Sequence, residues 1–144
     1  MSQNIFEKIK EEHQEFKEML GKLTEGRSSK EDTFEEFKTE LKAHNKAEEQ
    51  TLYEALMKDK KSKEMALVGI EEHRMGTVVL NKLDKATKGS EDWKVQLNVL
   101  KHMLEKHIEV EEAEVIPMAQ GMLEETEVEE LSEQFESIEE KLEK

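Results

Sequence analysis

The chain has 144 residues, 40% of them charged and 35% hydrophobic, a length that fits one domain with a real core. Its net charge of −14 argues against a nucleic-acid partner, and the absence of cysteine excludes disulfides, thiolate metal sites and iron–sulfur clusters. No segment approaches the ~20 apolar residues that span a membrane and no signal-peptide pattern opens the chain, so we expect a cytoplasmic protein without a membrane partner.

Helical periodicity begins with the first segment. Apolar residues over 5–23 recur three, four or seven positions apart, which predicts one helix with His13 on its apolar side. The Gly/Ser segment at 25–30 predicts a loop. A second helix is expected over about 29–58, with His44 on its apolar side.

Local signals predict the ends of the next two helices. Ser62 fits an N-cap for a third helix that reaches about residue 88. Gly89 then suits the position behind that helix, and Ser90 the N-cap of a fourth. Pro117, the only proline, is expected to kink or end the fourth helix.

A last amphipathic helix follows. The segment 126–129 has the spacing of a capping box. Behind it, apolar residues alternate three and four positions apart: Val128, Leu131, Phe135, Ile138 and Leu142. We expect this stripe to pack on the same domain; a seam between two copies is the less favoured alternative, so the predicted state is a monomer or weak dimer.

The chain contains an internal repeat. Each half carries one histidine on a first helix and a His-x-x-x-Glu pair on a second. The six residues are His13, His44 and Glu48 in the first half and His73, His107 and Glu111 in the second. Because short connections join long helices, we expect an all-α fold: an up-down-up-down four-helix bundle over 1–120 with an extra C-terminal helix over 121–144.

The spacing of these residues predicts a metal centre. Residues four apart share a helix face, so each His-x-x-x-Glu pair points into the core. A buried glutamate is costly unless it is paired or binds a metal, and no lysine or arginine shares either stripe. Imidazole and carboxylate without sulfur suit iron, manganese or zinc, and six donors exceed the four that one zinc requires. Two irons bridged by two carboxylates fit best; a structural polar layer is the alternative.

The ordered pattern resembles hemerythrin-like proteins with the HHE cation-binding domain, over about residues 3–120. The resemblance implies two iron ions with an oxo or hydroxo bridge, manganese or zinc being possible. It implies one pair of histidines for each iron and two bridging glutamates: His13 and His44, His73 and His107, and Glu48 and Glu111. The implied ligand is a small diatomic or peroxide. The implied function is binding of, or reaction with, dioxygen, peroxide or nitric oxide; an iron-binding or sensing module without turnover, and an oxygen carrier or storage protein, are the alternatives.

Two departures separate this chain from oxygen-carrying hemerythrins. Those proteins place a further histidine four residues after the third-helix ligand, where this chain has Thr77. They also use His-x4-Asp on the last helix, where this chain has His107-x3-Glu111. Without the extra histidine, both irons would have two histidines and be more open to added ligands. Reversible oxygen carriage is therefore less favoured than oxidant chemistry or iron sensing, and whether the protein turns over substrate stays open.

The nearest alternative class is the ferritin-like di-iron carboxylate proteins. That class marks its ligand helices with Glu-x-x-His. None of the five histidines has a glutamate three residues before it, so the spacing excludes this class.

Other polar residues near the motifs receive weaker predictions. His102 is expected at the rim or surface, because it lies about 140° around the helix from His107. Glu49 and Glu112 are expected on a solvated face, a role beside the metal being the alternative. Tyr53 aligns with an isoleucine in the repeat, which favours packing over a ligand role.

Overall fold

The computed structural model describes residues 3–25 and 30–143, and within them all regular structure is helical, with no strand. The predicted all-α class is therefore confirmed. Five helices are numbered in chain order: α1 is Ile5–Glu25, α2 spans 30–56, α3 is Lys60–Lys85, α4 spans 91–122 and α5 is Glu125–Glu143. Most of the predicted loop at 25–30 lies outside the described residues. No described helix is both long enough and apolar enough to cross a bilayer.

α2 and α4 each contain one π-helical turn next to their His-x-x-x-Glu pair. The successive segments are Lys30–Glu48, Glu49–Tyr53 and Glu54–Leu56 in α2, and Glu91–Val110, Glu111–Val115 and Ile116–Met122 in α4. Such turns are rare and often lie at functional sites. Pro117 follows the π turn of α4 in the first turn of the next segment, where a missing N–H is tolerated. The helix continues to residue 122, so it does not end at Pro117, and the predicted kink there stays a prediction.

The helix caps agree with the predictions only in part. Asp59, not Ser62, caps α3 by accepting a bond from the backbone N–H two residues on (2.9 Å), and Ser62 is buried in the first turn. Gly89 has the positive φ of 83° that favours glycine, but α3 has already ended at 85. Ser90 caps α4 as predicted.

The cap of α5 lies two residues before its predicted place. The helix begins at Glu125, so the capping box predicted at 126–129 is wrong. Instead, the Glu127 carboxylate accepts a bond from the backbone N–H of Glu124 (3.1 Å), which is half of a capping box set two residues earlier.

The helices enclose two apolar clusters with a polar layer between them. α1 packs against α2, α4 and α5, α2 also against α3 and α5, and α3 against α4. Along α1, Ile9 belongs to one cluster and Phe16 to the other, with His13 between them. Phe135 of α5 is 1% exposed within the cluster that contains Ile9, so α5 contributes to this part of the core.

Candidate metal centre

Four helices bring the six predicted site residues together in the polar layer. We call this set the cage: His13 of α1, His44 and Glu48 of α2, His73 of α3, and His107 and Glu111 of α4. All are buried, the most exposed at 8%. Each His-x-x-x-Glu pair faces inward because residues four apart share a helix face.

Glu48 lies between the two pairs of histidines. Its Oε2 is 3.2 Å from His44 Nε2, and its Oε1 is 3.0 Å from His73 Nε2. The carboxylate therefore has one oxygen toward the first-half imidazoles and the other toward the second-half imidazoles.

Glu111 has the corresponding position on the opposite helix. Its Oε1 is 3.0 Å from His13 Nε2, and its Oε2 is 3.3 Å from His107 Nε2. The cage therefore contains two groups of four residues, each made of one pair of imidazoles and both glutamates. Within each group, every residue has a possible ligand atom, and these atoms all lie within 4.8 Å of one another. Either group could hold a metal ion.

Every cage histidine donates its Nδ1 proton to a glutamate outside the cage. The pairs are His13 with Glu112 (2.7 Å), His44 with Glu12 (2.7 Å), His73 with Glu49 (2.8 Å) and His107 with Glu72 (2.7 Å). Because an ionised carboxylate only accepts hydrogen bonds, each Nδ1 is a donor and each Nε2 faces the cage centre. Such a carboxylate partner fixes the tautomer and orientation of a metal-binding imidazole.

The outer glutamates were only partly foreseen. Glu49 and Glu112 are hydrogen bonded and only 28% and 34% exposed at the side chain, so placing them on a solvated face is wrong. Glu12 and Glu72 were missed. The signal for both was the Glu-Glu-His triplet at 11–13 and 71–73, which stands once in each half.

The atoms inside the cage fit a cation. Among the described residues, His13 Nε2, both carboxylate oxygens of Glu48 and Glu111 Oε1 are buried without a hydrogen bond, although they approach cage neighbours to within 3.2 Å. Buried polar atoms nearly always have a partner, and lone pairs facing lone pairs need positive charge between them. Imidazole and carboxylate donors without sulfur suit iron, manganese or zinc.

Without a metal, protons supply this positive charge. Burial alone would lower the pKa of His107, but hydrogen bonds to Glu111 and Glu72 outweigh it and raise the pKa to about 10. Burial likewise opposes the charge of Glu111, yet its close polar contacts with Glu48, His107 and His13 hold the pKa of Glu111 well below its ordinary value. The cage is therefore built to contain cationic charge.

Tyr53 packs in an apolar cluster and its hydroxyl also forms part of the cage wall. It is fully buried, its hydroxyl donates to Glu111 Oε2, and it lies 3.4 Å from His107 Nε2. Burial raises the pKa of Tyr53 well above its ordinary value, which keeps this proton in place. Gly69 makes room for the ring, because a Cβ there would lie 2.7 Å from Tyr53 Cζ. The packing prediction is confirmed, since Tyr53 belongs to the same apolar cluster as Ile9, but its repeat partner Ile116 gave no indication of the hydroxyl contact.

The two other predicted residues lie outside the cage. His102 is exposed, as predicted. Thr77 lies one turn beyond His73, and its hydroxyl donates to the His73 carbonyl (3.0 Å), so it bonds its own helix.

α5 contacts one outer glutamate of the cage. Glu139 is 5% exposed and forms a third His/Glu group with Glu12 and His44. Burial and the hydrogen bond shared with Glu12 raise the pKa of Glu139 to about 9, so one of these two carboxyls keeps a proton at neutral pH.

One comparison with known proteins gives a match. The family model described as Hemerythrin HHE cation binding domain matches residues 4–119. This range contains the whole cage and the four outer glutamates, and it ends before α5. No match was found among curated proteins or solved structures.

Proposed function

The chain belongs to the hemerythrin HHE cation-binding domain family, and we propose that its cage binds two iron ions and presents them to a small oxidant such as dioxygen, peroxide or nitric oxide. One observation carries the proposal: Glu48 and Glu111 each turn one oxygen toward the first imidazole pair and the other oxygen toward the second. In this proposal the domain over 1–120 is an up-down-up-down bundle of α1–α4, and the segment 121–144, which contains α5, packs on it.

The proposed roles follow the two groups. His13 and His44 would hold one ion and His73 and His107 the other, and Glu48 and Glu111 would serve both. Iron bound in this way would supply Lewis acidity and one-electron redox chemistry. The remaining tasks belong to the protein: positioning the imidazoles, excluding bulk water and holding a proton on Tyr53.

The charges around the cage favour iron over zinc. Each imidazole is paired with an outer glutamate, so six carboxylates surround the proposed pair of ions: Glu12, Glu48, Glu49, Glu72, Glu111 and Glu112. Six negative charges match two trivalent ions better than two divalent ones, and iron is stable in the trivalent state while zinc is not.

Metal analysis of single variants tests the proposed ligands. We expect two irons per chain in the wild type and loss of the dinuclear site in His44→Ala and Glu111→Ala, because each removes a donor that no other described residue replaces. The matched control is His102→Ala, since His102 is exposed. Two irons per chain in either cage variant, measured by elemental analysis and optical spectrum, would refute the assignment.

Addition of peroxide or nitric oxide to the reduced protein tests the reaction. Repeated consumption of the oxidant supports an enzyme, and a stable stoichiometric adduct supports a binding or sensing module. If no oxidant changes the optical bands of the iron-loaded protein, the proposed reactivity is wrong although the metal site stands.

A further inference from the structure

The two halves of the cage have the same donors but different neighbours. When the two halves of the sequence are aligned so that His13 matches His73, Phe16 matches Gly76. Phe16 is 2% exposed and its ring meets His44 edge-on, with the ring centroids 5.1 Å apart. Gly76 has no side chain, and no heavy atom outside its own helix backbone and chain neighbours would lie within 4 Å of a Cβ placed there.

The space beside Gly76 is a cavity of about 230 Å³ that reaches the second half of the cage. Its wall is mostly apolar and its inner end is formed by two imidazoles. The lining residues used here are Gly76, Leu100, Met103 and Leu104 in the wall and His73 and His107 at the inner end. Since a water molecule occupies about 30 Å³ of liquid, a diatomic molecule has ample room.

The first half of the cage is covered by aromatic rings. Phe16 lies on one side of His44, and Phe135 of α5 lies at 6.0 Å from it, also edge-on. His13 and His44 are both 2% exposed, against 6% and 8% for His73 and His107. A ligand approaching from solvent therefore meets the second half first.

We propose that a small neutral diatomic ligand enters through this cavity and binds on the His73 and His107 side of the cage. This inference rests on the proposed di-iron function and adds which half takes the ligand. The apolar wall favours a neutral molecule, because an anion would lose its hydration there, and the net charge of −14 also disfavours an anion; the opposite charges of Glu72 and Lys106, both in the lining, add no preference.

Gly76→Phe tests the route, because it places in the cavity the residue that covers the first half. We expect at least about tenfold slower association of nitric oxide with the reduced, iron-loaded protein by stopped flow. Gly76→Ala is the matched control and should associate like the wild type, since a methyl group has room there. Leu100→Phe, which copies Phe37 of the first half, is a second variant in case Gly76→Phe does not fold.

Xenon gives a readout that does not depend on iron. We expect xenon beside Leu104 in pressurised crystals of the wild type and Gly76→Ala, and none in Gly76→Phe. Slow association in the Phe variants at full iron content supports the proposal. Unchanged association at full iron content, faster association of azide than of nitric oxide, or no xenon in the wild-type cavity would overturn it. A wild type that binds no iron would overturn the proposed function as well, and iron analysis separates the two failures.

Discussion

The hydroxyl of Tyr53 donates a hydrogen bond to Oε2 of Glu111, which ties the π turn of α2 to the π turn of α4 inside the cage. The π turn explains why Tyr53 can do this. A π turn closes its hydrogen bonds over five residues rather than four, which brings Tyr53 toward the side of the helix that carries Glu48, five positions earlier. The phenol then satisfies one oxygen of the second carboxylate.

Tyr53→Phe should destabilise the metal-free protein more than the iron-loaded one. Loss of a buried hydrogen bond to a charged group costs about 1.5–3 kcal/mol. In the proposed iron-loaded state a metal would satisfy the same oxygen, so the loss should be smaller. Denaturant unfolding of both forms measures the difference, and an equal loss in the two would show that this bond does not report on the metal site.

Two glycines of α3 should respond in opposite directions to alanine. A Cβ at Gly69 would lie 2.7 Å from the Tyr53 ring, so Gly69→Ala should cost about 1–3 kcal/mol of stability. Gly76→Ala meets no atom within 4 Å and should gain up to about 1 kcal/mol from its helix propensity. Thermal unfolding compares them directly; equal effects would contradict the close contact at Gly69.

Removing an outer glutamate should weaken metal binding without removing a proposed ligand. Glu72→Ala takes away the acceptor for His107 Nδ1 and should lower metal affinity by about 10–100-fold. Glu71→Ala is the control, because the adjacent Glu71 is exposed and its carboxylate pairs with Arg74 on the helix surface. Competition with a chelator measures the affinities. Equal affinities in the two variants would mean that the Nδ1 bond does not orient the imidazole.

Metal binding should release protons and strengthen as pH rises. The pKa of His107 is about 10 in the metal-free fold, above its ordinary value of 6.5, so between these values the folded protein carries a proton that a metal must displace. Apparent iron(II) affinity should therefore increase through the neutral range. Anaerobic calorimetry in buffers of different ionisation enthalpy counts the protons, and a pH-independent affinity would contradict the raised pKa.

Glu139→Gln should stabilise the protein above the ordinary pKa of glutamate. The pKa of Glu139 is raised to about 9 from 4.5, so the folded state binds this proton more tightly than the unfolded state. Stability from this group is full below pH 4.5 and declines as pH rises toward 9. Glutamine keeps a donor for Glu12 without that decline. Denaturant unfolding at several pH values measures this, with Glu140→Gln as the control because Glu140 is exposed. The same pH profile of stability in both variants would contradict the assignment to Glu139.

Sequence periodicity alone predicted the helices and the inward-facing groups. His44 and Glu48 are four apart on a helix, so they must share a face wherever that helix packs. The repeat then predicted a second, matching pair at His107 and Glu111. Helix ends were less predictable, as at Ser62, because several nearby polar residues compete for one cap.

Contacts between helices were decided only by the tertiary structure. Glu12 accepts from His44, 32 residues away, and nothing in the local spacing of either helix sets that distance. Tyr53 contacts Glu111 because a π turn ends at this residue in α2. The π turn changes the direction in which every later side chain of the helix points, and the spacing of apolar residues in the sequence does not reveal it. The sequence shows that Phe16 in the first half corresponds to Gly76 in the second. Only the packing of the helices around the cage shows the consequence: the Phe16 ring covers His44 in the first half, and a cavity lies beside Gly76 in the second.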